Sequence, residues 1–188
     1  EGGIGSVVGL YAEEDGDGLG DLFEVWPGDD VLDDPDDPFP ASIADAMHRL
    51  AAAGVEVSLV HGNRDFLLGN AFARRSGVRL LNDPHVLSLP TWQFVLSHGD
   101  ALCTDDHEYQ VLRTRIRQAE WQAGFLAQPL LERKRIAAAL RAQSELAKRD
   151  KPRYLMDVNP AETDDFLRAH GYATLIHGHT HRPATHDH

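Results

Sequence analysis

The chain has 188 residues, 42% of them apolar, which suits one ordinary globular core and is too little for two full domains. Its net charge of −12 disfavours nucleic acid, no run of about 18 apolar residues is present to cross a membrane, and a lone cysteine, Cys103, excludes an internal disulfide and argues against a thiolate zinc cage. The opening residues, EGGIGSVVGLYAEEDG, lack the basic flank and apolar stretch of a secretion signal, so the expected location is the cytoplasm.

In chain order, the first chemically suggestive residues are Gly20-Asp21. A carboxylate leaving a strand can bridge two cations, although an ordinary turn uses the same dipeptide. Asp29 to Asp37, DDVLDDPDD, reads as an acidic surface loop. Ala41 to Ala53 is expected to be a helix with Ile43, Ala46, Met47 and Leu50 on one face and Gly54 as its stop. Val55 to Val60 is β-branched and apolar, and leads as a strand into His61-Gly62-Asn63-Arg64-Asp65. Phe94 to Ser97 leads in the same way into His98-Gly99-Asp100. From about Asp105 to Lys151 the rhythm changes to two or three helices with a break at Pro129, a helical insert or cap. A last strand, Ala173 to Ile176, leads into His177-Gly178-His179-Thr180-His181. Strands alternating with helices imply an α/β layered fold whose ligands bind beyond the carboxyl ends of the strands.

The histidine motif is the sharpest signal among the 11 histidines. Histidines two apart on extended chain face the same way, and imidazole is a common ligand of divalent transition metals. Asn63 offers a neutral oxygen to a metal and Arg64 a two-pronged fork to a phosphate. Taken singly, a plain Asx turn and a structural histidine remain open for Asn63-Arg64 and His98. Taken in order, Asp, Asn-Arg, His-Gly-Asp and Gly-His-Thr-His supply ligands for a two-metal phosphoryl-transfer site. Serine or cysteine hydrolysis finds no support, because no Gly-x-Ser-x-Gly elbow is present and Cys103 lies in no nucleophile signature. Between Val111 and Arg153, 11 Lys/Arg face 4 Asp/Glu, a local +7 that leaves −19 elsewhere. Such a segment suits an anionic ligand or membrane, and equally a solvated helical face.

The order GD, GNRD, HGD, GHTH resembles the calcineurin-like metallophosphoesterases. The segments GDLFEVWPGDD, HGNRDFLLGNAFARRSG, HGDALCTDD, RKRIAA, MDVN and IHGHTHRPA are similar to one branch of them, the UDP-2,3-diacylglucosamine diphosphatases of lipid A synthesis, over about Leu19 to His186. The resemblance implies a single domain over residues 1–188, a sandwich of two mixed sheets flanked by helices, with a cap at about 105–151. It implies Mn²⁺, two ions per site in the family, with Asp21 bridging them, Asn63, His98 and His179 completing one and His181 belonging to the other. Catalytic roles fall on Asn63, Arg64 and His179, and substrate contacts on Asn63, Arg64, Asp106, Ser144, Lys148, Lys151 and His179.

The implied reaction is hydrolysis of the pyrophosphate bond of UDP-2,3-diacylglucosamine to UMP and 2,3-diacylglucosamine 1-phosphate. It would take place on the cytoplasmic face of the inner membrane, with the cap receiving acyl chains and resting on the anionic surface. No Asp-x-His motif precedes Asp21, and Asp15-Gly-Asp17 is not accepted in its place. The expectation is therefore a copy truncated or altered at both ends, holding one metal in place of two. The alternatives are a metallophosphoesterase acting on nucleotides or phosphodiesters, and a catalytically inactive remnant.

Overall fold

The computed structural model describes residues 20–182 and 184–186, the side chains of Lys148, Asp150 and Arg153 excepted; Asp15 and Asp17 lie outside the described residues. Helix α1, Phe39–Ala52, carries Pro40 in its first turn, where a missing amide hydrogen costs nothing and the fixed φ suits a helix. It ends as Gly54 turns to φ +88°. Its buried stripe runs through Pro40, Ile43, Ala44 and Met47 to Ala51, which lies under Gly77. Leu50, expected on that face, is 51% exposed, because the 3.6-residue period carries the stripe on to Ala51.

Strand β1, Ser58–Val60, pairs in parallel with β2, Arg79–Leu81, and the crossover contains α2, Asn70–Ser76. Strand β3, His85–Ser88, turns at a hairpin closed by the Leu89 amide on the Trp92 carbonyl (2.8 Å) into β4, Gln93–Ser97. Beyond the cap and α6, Pro160–Ala169, the chain returns as β5, Thr174–His177, parallel to β4. The described strands thus form a parallel pair and a mixed three-stranded sheet. Val60 and Leu96 bury against Leu81, Leu87, Phe94 and Ile176, which joins the two sheets. The larger core lies between α1, α2 and the Asp21–Leu32 segment, around Phe23, Trp26 and Phe72, whose rings meet edge to face or tilted.

The acidic run Asp29–Asp37 is only in part a solvated loop, with Asp30, Asp33, Pro35 and Asp36 exposed. Its first half is a 3₁₀ turn, Asp29–Asp33, that buries Val31 and Leu32. Asp29 accepts the Trp26 indole N–H and the amides of Gly69, Ala71 and Phe72, which satisfies donors left over at the start of α2. Asp30 and Asp34 bind Arg133 and Lys134 of the cap. Acids and a proline made the run look like surface, and part of it is, whereas Asp29, Asp30, Asp34 and Asp37 meet orphan amides and bases brought in from distant sequence.

The cap consists of α3, His107–Ile116, α4, Ala119–Leu126, and α5, Leu130–Asp150, with Pro129 between the last two. Much of its positive charge is internally paired. Arg133 is nearly buried and reaches both Asp30 and the Pro27 carbonyl, Arg113 reaches Asp100, Arg141 reaches Glu24, and Lys151 reaches Asp106. Cys103 is buried, and burial followed by the nearby charges of Asp100 and Asp157 pushes its thiol up to about 12. The thiolate is therefore scarce at neutral pH, which agrees with the sequence argument against a cysteine nucleophile.

Candidate metal centre

Three strands end on one side of the molecule and their exits carry the polar motifs. Ser97 pairs with His177 in the β4–β5 ladder, and the Gly178 amide donates to the His98 carbonyl (3.0 Å), so the residues that follow, His98 and His179, are delivered side by side. The exit of β1 brings Asn63 to them. His98 Nε2 and His179 Nδ1 are 3.2 Å apart, and each is 2.9 Å from Asn63 Oδ1. A cation with ligand distances near 2.1 Å and octahedral angles has ligand edges of about 3.0 Å, so this triangle has the size of one coordination face. Among the described residues no three His, Cys, Asp or Glu side chains form a metal-holding cluster by themselves. The triangle adds the amide oxygen of Asn63 to two imidazoles, a donor set that suits a borderline divalent metal.

Asp21 stands behind the triangle, its Oδ2 3.8 Å from His98 Nε2. Asp21 packs so tightly on Gly62 that a Cβ at Gly62 would lie 2.0 Å from Asp21 Oδ1 and 2.2 Å from its amide nitrogen. Only glycine permits that approach. Asp21, His179 and His181 adopt positive φ angles of 57°, 69° and 53°, and the one other described non-glycine residue to do so is Tyr172. Such strained backbone concentrates at functional sites, and here it falls on three of the five residues singled out as metal ligands. His181 lines the adjoining cavity beside His179 and stands outside the triangle.

Two buried carboxylates that sequence reasoning passed over hold this arrangement. Asp65, fully buried, accepts the amides of Gly62 (2.7 Å) and Leu22 (2.7 Å), tying the loop of Asn63 to the turn of Asp21. Burial, and after it the neighbouring Asp21 charge, push the Asp65 carboxyl above the usual range against the pull of those amides. Asp100, also fully buried, accepts the Tyr109 hydroxyl (2.7 Å) and Arg113 Nε (2.8 Å). Burial opposes its ionisation, yet the charges of His98 and Arg113 and the two hydrogen bonds prevail and hold it at about 2. Tyr109 in turn lies 5.6 Å from the His179 ring, so α3 of the cap is fastened beneath the site. The last letters of GNRD and HGD were the available signal: an acid immediately after a candidate ligand, on a loop that needs internal fastening.

Arg64 is placed across Asp21. Its amide donates to Asp21 Oδ1 (2.7 Å), its Nε lies 3.3 Å from Asp21 Oδ2, and its Nη1 donates to Glu24 (2.8 Å). A cavity of about 740 Å³ opens from Asn63 and His179 and passes between α3 and α5. Of the other residues named for substrate, Asp106, Ser144 and Lys151 line it, whereas Arg64 does not, and the Lys148 side chain lies outside the described residues. Asp106 caps α3 by accepting the Tyr109 amide (3.1 Å) and also binds Lys151 Nζ (2.6 Å), so these two are each other's partners.

The calcineurin-like phosphoesterase model matches residues 18–183. A UDP-2,3-diacylglucosamine hydrolase of Aromatoleum aromaticum is 48% identical over 183 residues, 97% of this chain and 71% of the relative. The proteins of that name in Aeromonas salmonicida and Escherichia coli O157:H7 are 53% and 47% identical, over 90% of this chain in each case and 65% and 69% of the relatives. With its ligand loops gathered at the strand ends and this likeness along almost its whole length, the chain belongs to the calcineurin-like phosphoesterase family.

Proposed function

We propose that the chain hydrolyses the pyrophosphate bond of UDP-2,3-diacylglucosamine to UMP and 2,3-diacylglucosamine 1-phosphate, a step of lipid A synthesis, and that Mn²⁺ is its working metal. The observation that carries the reading is the cavity. It joins Asn63 and His179 at one end to an apolar wall of Leu112, Leu140, Ala147 and Met156, with Lys151 beside it, a combination suited to a phosphorylated acyl lipid and poorly suited to a bare nucleotide.

Asn63, His98 and His179, with Asp21 behind them, are the residues that would hold divalent cations, whose chemistry is to lower the pKa of water and to offset charge on phosphoryl oxygens. Arg64, its guanidinium held by Asp21 and Glu24 next to Asn63 in the chain, would stabilise the negative charge that grows on those oxygens. Asp65 and Asp100 hold the ligand loops still, and the apolar wall keeps water from the acyl chains.

In turnover assays with Mn²⁺, kcat/KM for UDP-diacylglucosamine should exceed that for bis(p-nitrophenyl) phosphate by about 10²-fold or more, since each methylene leaving water contributes about 0.8 kcal/mol. Equal rates on both, with no response to acyl length, would point to a generic phosphodiesterase.

The cap also presents Leu126, Leu131 and Leu146 to solvent, with Arg115 and Arg149 exposed nearby in sequence. This supports association with the anionic cytoplasmic face of the inner membrane. Most other cap bases are paired, so binding to phosphatidylglycerol liposomes should keep a salt-resistant apolar part while the remainder weakens above about 0.1 M salt. Flotation without any association at low salt would remove the membrane from the reading.

A further inference from the structure

We propose that Glu24 is a positioning residue for the hydrolysis: it bridges Arg141 of the cap to Arg64 beside the metal site, so that a seated cap fixes the aim of Arg64. Its two carboxylate oxygens go to different guanidinium groups, Oε1 to Arg64 Nη1 at 2.8 Å and Oε2 to Arg141 Nη2 at 2.6 Å. Glu24 is 63% exposed and Arg64 10% exposed, so the carboxylate takes little part in the core while the arginine it grips is nearly enclosed. Arg64 Nε is held in turn by Asp21, and Arg141 Nη1 by Glu145 one turn further along α5. Opposite charges therefore alternate without a gap from α5 through Arg141, Glu24 and Arg64 to Asp21.

A guanidinium is planar and binds anions along fixed directions. Two anions on two of its nitrogens set the plane in which it can meet a third. Removing Glu24 frees that plane, which lowers turnover. It also removes a negative charge that competes with an incoming phosphate for Arg64, so ground-state binding of anions does not weaken. A bridge that only supported the fold would give no such opposition between rate and affinity.

The inference rests on the phosphoesterase reading and is tested with Glu24→Gln, Arg141→Met and the double variant in the metal-loaded protein, on both UDP-diacylglucosamine and bis(p-nitrophenyl) phosphate. Each single variant should lower kcat by about five- to twentyfold, a part of what full loss of an oriented charge contact costs, with KM unchanged or lower in Glu24→Gln. The double variant should be no worse than either single one, as expected of residues acting through one bridge. Inorganic phosphate, titrated calorimetrically, should bind Glu24→Gln about two- to fivefold more tightly than the parent, in line with the modest strength of an exposed pair. Metal content and Tm report on folding, which an exposed carboxylate leaves intact.

Values of kcat within twofold of the parent on whichever substrate is hydrolysed, effects that multiply in the double variant, or unchanged phosphate affinity would each overturn the bridge. A parent inert to the lipid but active on the small diester would overturn the substrate assignment alone. The variants on the small diester and the phosphate titration would still decide the role of Glu24.

Discussion

Replacing His98 with alanine should leave a folded protein that has lost most of its bound metal and turns over substrate at a small fraction of the parental rate. His98 is 1% exposed, is delivered by the end of β4, and supplies one corner of the triangle whose edges are 2.9, 2.9 and 3.2 Å. Its removal leaves a polar hole beside Asp21, open to water, and a two-atom remnant, Asn63 Oδ1 and His179 Nδ1. Loss of an outer partner of a metal ligand already costs about 10–100-fold in affinity or activity, and loss of a direct ligand should cost more. Elemental analysis after desalting is the primary measurement, with circular dichroism as the folding control. Full metal retention in His98→Ala would show that the triangle is an ordinary hydrogen-bonded cluster and that the metal sits elsewhere.

Arg64→Ala should behave in the opposite way: metal content unchanged, turnover down by about 10²-fold or more, because a charge contact made in the transition state is lost while no coordinating atom is touched. The geometry adds a refinement. Arg64 also neutralises Asp21, its Nε 3.3 Å from Oδ2, so the variant leaves Asp21 with more unbalanced negative charge and its affinity for cations should not fall. The backbone bond from Arg64 to Asp21 Oδ1 survives the substitution and keeps the turn in place. A variant that lost metal in proportion to activity would make Arg64 a support for Asp21; a kinetically silent one would remove it from the chemistry.

Local pattern carried much of the architecture. The apolar runs before Asn63, before His98 and before His177 became β1, β4 and β5, because buried β-branched segments that end in polar turns have few other solutions in an α/β fold. The order of the motifs pointed to one shared site, and the grouping of Asn63, His98 and His179 within it came from the family resemblance. The partners of the cap were not legible. Arg133, Lys134 and Arg141 read as one basic stretch, and only the fold brings them to Asp30, Asp34 and Glu24, about a hundred residues earlier. Charge patterning along the chain cannot distinguish a solvated base from one whose counter-ion arrives from afar. Arg64 illustrates the same limit, since its motif marked it as a phosphate fork while the structure engages it with two carboxylates of its own chain.

The parallel pairing of β4 with β5 bears on when the protein becomes competent. His98 and His179 touch across 81 residues of chain, and Asn63 meets His179 across 116, so the site cannot be assembled from any early portion of the nascent polypeptide. Contacts this distant are slow to form and demand closure of a large loop before they repay it. During synthesis the cap helices emerge and can fold locally while β4 still waits for its neighbour, its edge exposed to mispairing. Metal capture should therefore be among the last events of maturation, and a cation bound at the triangle would mark chains whose β5 has docked.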